Sequence, residues 1–261
     1  MDIFIPKQKI WTPDSKRILN LMPHRVMMGA GGSSGNDQTS YAFDGVGDYL
    51  SSPDHANWQL GGGTGNFTID FWARFTALSG LDRIINHWEG GTNHWSFYRT
   101  SVLYFRVNSS GASIVELVSA AWTPTLNQWY HIAAVRGWGG NANDWAITID
   151  GTQSGATYTL SETIPDFAGS LLVGMGVAPD DDPFQGQLDE IRISNMARWT
   201  SNFTPAINAY GSDANTHLLI HCGETKTGTT GSGATFTDSG ATGHVLTENG
   251  NAIEDTTNYK F

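Results

Sequence analysis

Three carboxylates and a few tryptophans are the side chains of this 261-residue sequence whose types and spacing could do chemistry. Asp44 and Asp48 lie in YAFDGVGDYLSSPDH (Tyr41–His55), a glycine-punctuated turn between two short apolar runs. Asp-Gly in that setting signals a tight turn, because glycine accepts the positive φ that tight turns need. Asp189 lies in Leu188–Ser194, where strict alternation places it with Ile191 and Ile193 and places Glu190, Arg192 and Ser194 on the other face. With the apolar face inward, Asp189 becomes a buried carboxylate that needs a cation or several hydrogen bonds, since an unpaired buried charge is very costly. Asp44, Asp48 and Asp189 together would supply hard oxygen ligands suited to calcium. The alternative is that Asp44 and Asp48 close Asx turns and Asp189 accepts from backbone N–H groups. The run Asp180-Asp181-Asp182 reads as a solvated turn, because three successive carboxylates point in different directions.

Aromatic residues suggest a second chemistry, the stacking of rings on sugar C–H surfaces. Trp138 lies in RGWGGNANDW, a Gly/Asn-rich loop where it is expected to be exposed, and Trp88, Trp95 and Trp122 are further candidates. Trp72, Trp129 and Trp145 instead sit inside strand patterns, where tryptophan ordinarily packs. His87 and His94 flank Trp88 and Trp95 in HWEGGTNHW, either half of a ligand pocket or a strand–loop–strand with satisfied imidazoles. His217 and His221 lie two pleats apart, about 13 Å along an extended strand, too far for one metal ion without a bend. Hydrolytic chemistry finds no support. No strand carries acids at i and i+2 or i+4, the adjacent Asp189 and Glu190 point to opposite faces, and no G-x-S-x-G elbow occurs. The expectation is a non-enzyme. The single cysteine, Cys222, reads as a small buried hydrophobe and fits synthesis in a reducing cytoplasm.

These side chains must be positioned by strands. Charged residues make up only 15% of the chain, against 31 glycines and 10 tryptophans, a mix suited to short strands joined by tight turns. NFTIDFWARF (66–75) puts Phe67, Ile69, Phe71, Ala73 and Phe75 on one side and Thr68, Asp70, Trp72 and Arg74 on the other. QWYHIAAVR (128–136) is apolar on both faces, as a central strand would be, and WAITIDGTQSG (145–155) reads as a hairpin turning at Asp150-Gly151. Turn signals every 8–12 residues or so predict an all-β, two-sheet antiparallel sandwich.

Residues 1–35 read differently. They lack a steady period, and they carry a net charge of +3 from Lys7, Lys9, Lys16, Arg17 and Arg25 against Asp2 and Asp14, so the rest of the chain holds −14 of the total −11. A body so acidic repels nucleic acid. No apolar run of about 18 residues predicts a membrane span, and the N-terminus lacks the pattern of a secretory signal. With Ile3, Phe4, Ile5, Ile10 and Trp11 as apolar anchors and Lys7, Lys9, Lys16 and Arg17 as charge partners, residues 1–35 are expected to form an extended anchoring arm, ending in the linker Gly29–Gly35, that grips a partner surface. Residues 36–261 form the sandwich, with core motifs over 41–205 and a C-terminal edge segment over 212–261.

The succession FDGVGDYL, GNFTIDFWARF, NQWYHIAAV, ITIDGTQSG, LLVGMG and FQGQLDEIRISNMARWT resembles the laminin-G-like (concanavalin A-like, pentraxin-related) jelly-roll family in content and order. The resemblance implies two antiparallel sheets with loops gathered at the rims, and in some members a calcium ion held by acids. The tail, with HLLIHCGETK, ATFTDSG, HVLTENGNA and NYKF, is similar to the segment preceding such domains in bacteriophage structural proteins. It implies a virion component, capsid decoration or tail/fibre accessory, made in the host cytoplasm and fastened by the arm to other virion proteins. A homo-oligomer is expected, a trimer being one option. The alternative is an adhesin or lectin-like module recognising host-surface glycans. The tail either closes the same sandwich or docks on a neighbouring subunit.

Overall fold

The computed structural model describes residues 38–176, 182–230 and 233–261; the arm residues Ile3, Phe4, Ile5, Lys7, Lys9, Ile10, Trp11, Lys16 and Arg17 lie outside them. Within the described residues the alternating segments become β1 (Ser40–Asp44), β2 (Tyr49–Ser52), β3 (Phe67–Phe75), β4 (Asp82–Gly90), β5 (Asn93–Arg99), β6 (Leu103–Ser109), β7 (Ala112–Val118), β8 (Trp129–Arg136) and β9 (Asp144–Ile149). They continue as β10 (Thr152–Gln153), β11 (Tyr158–Thr159), β12 (Ser170–Val173), β13 (Gln185–Ser194), β14 (Thr216–Ile220), β15 (Thr235–Thr237), β16 (Val245–Asn249) and β17 (Ile253–Asp255). Among the described residues helix is confined to three short 3-10 turns at Ala56–Trp58, Leu60–Gly63 and Trp138–Gly140.

The strands form two antiparallel sheets. One has nine strands, with β10-β9-β8-β3-β13-β1-β17 in order, β11 beside β9 and β14 beside β13; the other runs β15-β16-β2-β12-β4-β5-β6-β7. The core lies between them. Phe67, Ile69, Phe71, Ala73 and Phe75 all point inward from β3, as the alternation predicts, and meet Trp95 and Phe97 of β5 and Phe105 of β6. Edge-to-face contacts such as Phe71–Phe97, with centroids 5.3 Å apart, lock the two layers. The Asp150-Gly151 hairpin also forms. Both residues have positive φ, 48° and 74°, and a Cβ on Gly151 would meet the Phe203 carbonyl oxygen at 2.0 Å.

The tail contributes to both layers. β14 takes the place beside β13 that β1 vacates, and β17 pairs with the other edge of β1. β16 pairs with β2, and β15 pairs with β16.

The outer faces of the two sheets differ. That of the nine-stranded sheet is roofed: Trp72 and Leu219 are buried with Tyr210, against which Trp129 and Phe261 pack. Farther along, Trp138 packs with Ala133, Val135 and Ala146 beneath Trp199 and Ala197. On the eight-stranded sheet, Tyr49 and Ser51 of β2, Trp88 of β4, Tyr104, Arg106 and Asn108 of β6 and Glu116 of β7 are only half-buried. Among the described residues, that face is the less covered of the two.

Candidate functional site

The three acids do not converge. Asp44 and Asp48 share one turn, and all four of their carboxylate oxygens are engaged, two within that turn and two by Asn251. Asp44 Oδ1 accepts from Val46 N at 2.7 Å and Asp48 Oδ2 from Asp44 N at 2.9 Å. Asn251 of the β16–β17 turn donates its backbone N–H to Asp48 Oδ1 at 2.7 Å and its side-chain amide to Asp44 Oδ2 at 3.3 Å. The pair therefore ties the first turn of the sandwich to the last.

For Asp189 the alternation count needs correcting. A β-bulge interrupts β13, so that Asp189 faces Trp72 and Arg192 faces Asp70, leaving Glu190 and Ile191 opposite one residue of β3. Glu190, at φ 50°, absorbs the extra residue. Asp189 is thus turned to the outer face, away from Ile191 and Ile193 in the core, and its Oδ2 accepts from Lys260 N at 2.9 Å. Burial, with the Glu190 charge adding to it against the Lys260 hydrogen bond, raises its carboxyl to about 8. Asp44 pairs with Gln185, four residues along β13 from Asp189 and about 13 Å away at the rise of a strand. Asp44, Asp48 and Asp189 do not fit one calcium ion, and among the described residues no group of three or more His, Cys, Asp or Glu side chains could hold a metal.

Three of the four candidate tryptophans also change role. Trp138 is buried, not exposed: Gly137, at φ 106°, turns the loop back over the sheet, and Trp138 Nε1 donates to Gln153 Oε1 at 2.9 Å. Trp95 faces inward with Phe97 and donates from Nε1 to the Trp58 carbonyl at 2.8 Å, so it is core. Trp122 packs against Phe75 and Tyr130 with ring centroids at 5.9 and 5.0 Å. His87 and His94 part company across the β4–β5 hairpin. His87 lies on the core side, 3.0 Å from the Gly169 carbonyl, whereas His94 stacks on Trp88 with centroids 4.1 Å apart. His221 contacts Glu190 at 2.8 Å, while His217, His55 and His244 gather at the rim near Trp58. Burial, then the charges on His55 and His217, bring the His244 imidazole down to about 4.

Trp88 remains, and the register surrounds it with His94 and with residues that sequence reading did not single out. On the outer face, Trp88 pairs across strands with His94, and Arg83 pairs with Tyr98, which pairs in turn with Tyr104. Tyr98 and Tyr104 stack at 4.9 Å with their planes 10° apart. The Arg83 guanidinium lies between the two aromatic groups, 5.3 Å from the Trp88 centroid and 5.7 Å from that of Tyr98. Arg106 lies 5.9 Å from the Tyr104 centroid and pairs with Glu116 of β7. Beneath them Asn86 donates to the Met175 carbonyl at 2.6 Å. The result is a floor of rings and guanidinium planes, fixed by stacking and cation–π contacts, with polar groups at its margin. The only sequence signal was the outward parity of HWSFYR (94–99) and LYFRVN (103–108), which says nothing of how the strands align.

Two antiparallel sheets packed face to face, with an aromatic-lined outer surface, define a lectin-like β-sandwich. The chain belongs to the laminin-G-like family of the concanavalin A-like lectin/glucanases superfamily, whose model matches residues 44–201, more than half its length. Among solved structures, a carbohydrate-binding protein assigned as such without proof, from Bacteroides ovatus, superposes with a TM-score of 0.61 at 15% identity, covering 83% of this chain and 59% of that one. The heptameric SAP-like pentraxin of Limulus polyphemus gives 0.44 at 14% identity over 62% of this chain and 78% of that one. The CBM40 of a Ruminococcus gnavus sialidase gives 0.47 at 11% identity over 64% and 96%. At these identities the likeness is one of fold. No curated protein matches the sequence.

Proposed function

We propose that this protein is a non-enzymatic glycan-recognition module that binds sugar on the outer face of its eight-stranded sheet. The observation that carries this reading is the half-buried floor of Trp88, Tyr104 and Arg106 on the outer face, where the opposite sheet is roofed by its own chain. Sugar C–H surfaces would lie on the rings and guanidinium planes, and hydroxyls would bond Arg106, Asn108 and Glu116 at the margin. The fold shared with the Bacteroides ovatus protein is consistent with this use. A glycan array is expected to show binding by the wild type, weakened at least tenfold, or about 1.4 kcal/mol, in Trp88→Ala. Equal binding by a Trp88→Ala protein with an unchanged circular dichroism spectrum would remove the site from this face.

A virion structural role is the second reading, and the tail motifs HLLIHCGETK and ATFTDSG favour it through their similarity to bacteriophage structural proteins. In this reading the arm fastens the sandwich to capsid or tail proteins, as one subunit of a symmetric oligomer, and the glycans are those of the host surface. Deleting residues 1–30 should leave a soluble, folded sandwich that no longer enters particles. Undiminished incorporation of the shortened protein would refute the anchoring role.

A further inference from the structure

Resting on the glycan-face reading, we infer that the ligand is a neutral, hydroxyl-rich glycan and not a sialylated, uronate-bearing or sulfated one. Both guanidinium groups on the face are engaged by the chain's own carboxylates. Arg106 Nη2 pairs with Glu116, and Arg83 Nε lies 3.3 Å from Asp182 Oδ2. These acids are not sealed away: the side chains of Glu116 and Asp182 are 40% and 36% exposed. Among the described residues two cations thus stand against two anions, and these pairs leave no net positive charge on the face. Asp180 and Asp181 precede Asp182 in sequence, and outside residues 1–35 the chain carries −14. A polyanionic glycan therefore approaches against the field of the body, an effect confined to roughly 8 Å at physiological salt.

Donor and acceptor chemistry points the same way. Ionised carboxylates only accept hydrogen bonds, and guanidinium groups only donate. A sugar hydroxyl does both, so one hydroxyl can donate to Glu116 and accept from Arg106 while their pair stays intact. A ligand carboxylate or sulfate offers acceptors alone. It can accept from an Arg106 N–H that Glu116 leaves free, but it then stands beside Glu116 as a second negative group with no hydrogen to donate to that acid. Ion pairing with the ligand would then be offset by repulsion from the acid already paired to that guanidinium.

The test is an array of neutral gluco-, galacto- and manno-oligosaccharides beside sialylated, uronate and sulfated glycans, read at low and physiological salt. The wild type is expected to bind neutral glycans with little salt dependence, and Trp88→Ala to lose that binding at least tenfold. Glu116→Gln removes one of the compensating anions and is expected to gain severalfold in binding of acidic glycans at low salt. Trp88-dependent binding of acidic glycans by the wild type at physiological salt would overturn the neutral assignment and leave the glycan-face reading standing. Binding of no glycan, or binding indifferent to both Trp88→Ala and Glu116→Gln, would overturn that reading and this inference with it.

Discussion

A chain ending at Gly211 is expected not to fold. The missing residues supply β14 and β17 to one sheet and β15 and β16 to the other, so their loss opens the β1 and β2 edges and half the length of β13. It also removes Leu218, Leu219, Ile220, Phe236 and Leu246, all buried. At about 1.5–3 kcal/mol for each buried large apolar side chain, these five account for about 8–15 kcal/mol, comparable with the whole stability of an ordinary domain. Polar bonds go with them. The Tyr41 hydroxyl donates to Glu248 Oε1 at 2.9 Å, and Lys226 bridges Glu248 and Glu254 beside the Tyr41 ring. The shortened protein should show no cooperative thermal transition and no near-ultraviolet aromatic signal. A sharp melt close to that of the full chain would mean that these strands are ornaments on a sandwich complete without them.

The layered fold was legible because its evidence is local. The alternation in 66–75 needs only a period of two, and Asp150-Gly151 needs only the φ preferences of two residues. The matching expectations failed where a local departure reset the count. In β13 one extra residue at Glu190 reverses the facing of Asp189, and nothing in Leu188–Ser194 announces a bulge. At Trp138 the surrounding glycines were read as exposure, whereas Gly137 uses its left-handed conformation to fold the ring onto the sheet and Gln153 satisfies its N–H. The floor around Trp88 was out of reach for a different reason. Arg83, Tyr98, Tyr104 and Arg106 are each an unremarked outward residue until strand register sets them side by side. Parity tells which face a residue occupies; only pairing tells which residues meet there.

Replacing Asp70 by alanine should be the most damaging single change on the roofed face. Asp70 and Arg192 form a two-pronged pair, Nε to Oδ1 at 3.0 Å and Nη2 to Oδ2 at 2.9 Å, with the carboxylate wholly buried. The Arg192 guanidinium also lies 4.0 Å from the Tyr210 ring centroid, and His131 Nε2 lies 3.5 Å from Asp70 Oδ2. Burial alone would raise the Asp70 carboxyl, but the Arg192 charge, the nearby His131 imidazole and the Arg192 hydrogen bonds bring it below the ordinary carboxylate range. It is therefore ionised in the fold, and its loss strands a cation under Tyr210 and Trp199. Breaking one side of such a buried pair costs about 3–5 kcal/mol, whereas replacing both sides by apolar groups costs far less. Urea unfolding is expected to place Asp70→Ala about 3–5 kcal/mol below wild type, and Asp70→Ala combined with Arg192→Leu closer to wild type than the single variant. A loss under about 1 kcal/mol for Asp70→Ala, or simple additivity in the double variant, would show that the two charges are solvated independently and that the roof over this sheet is not closed.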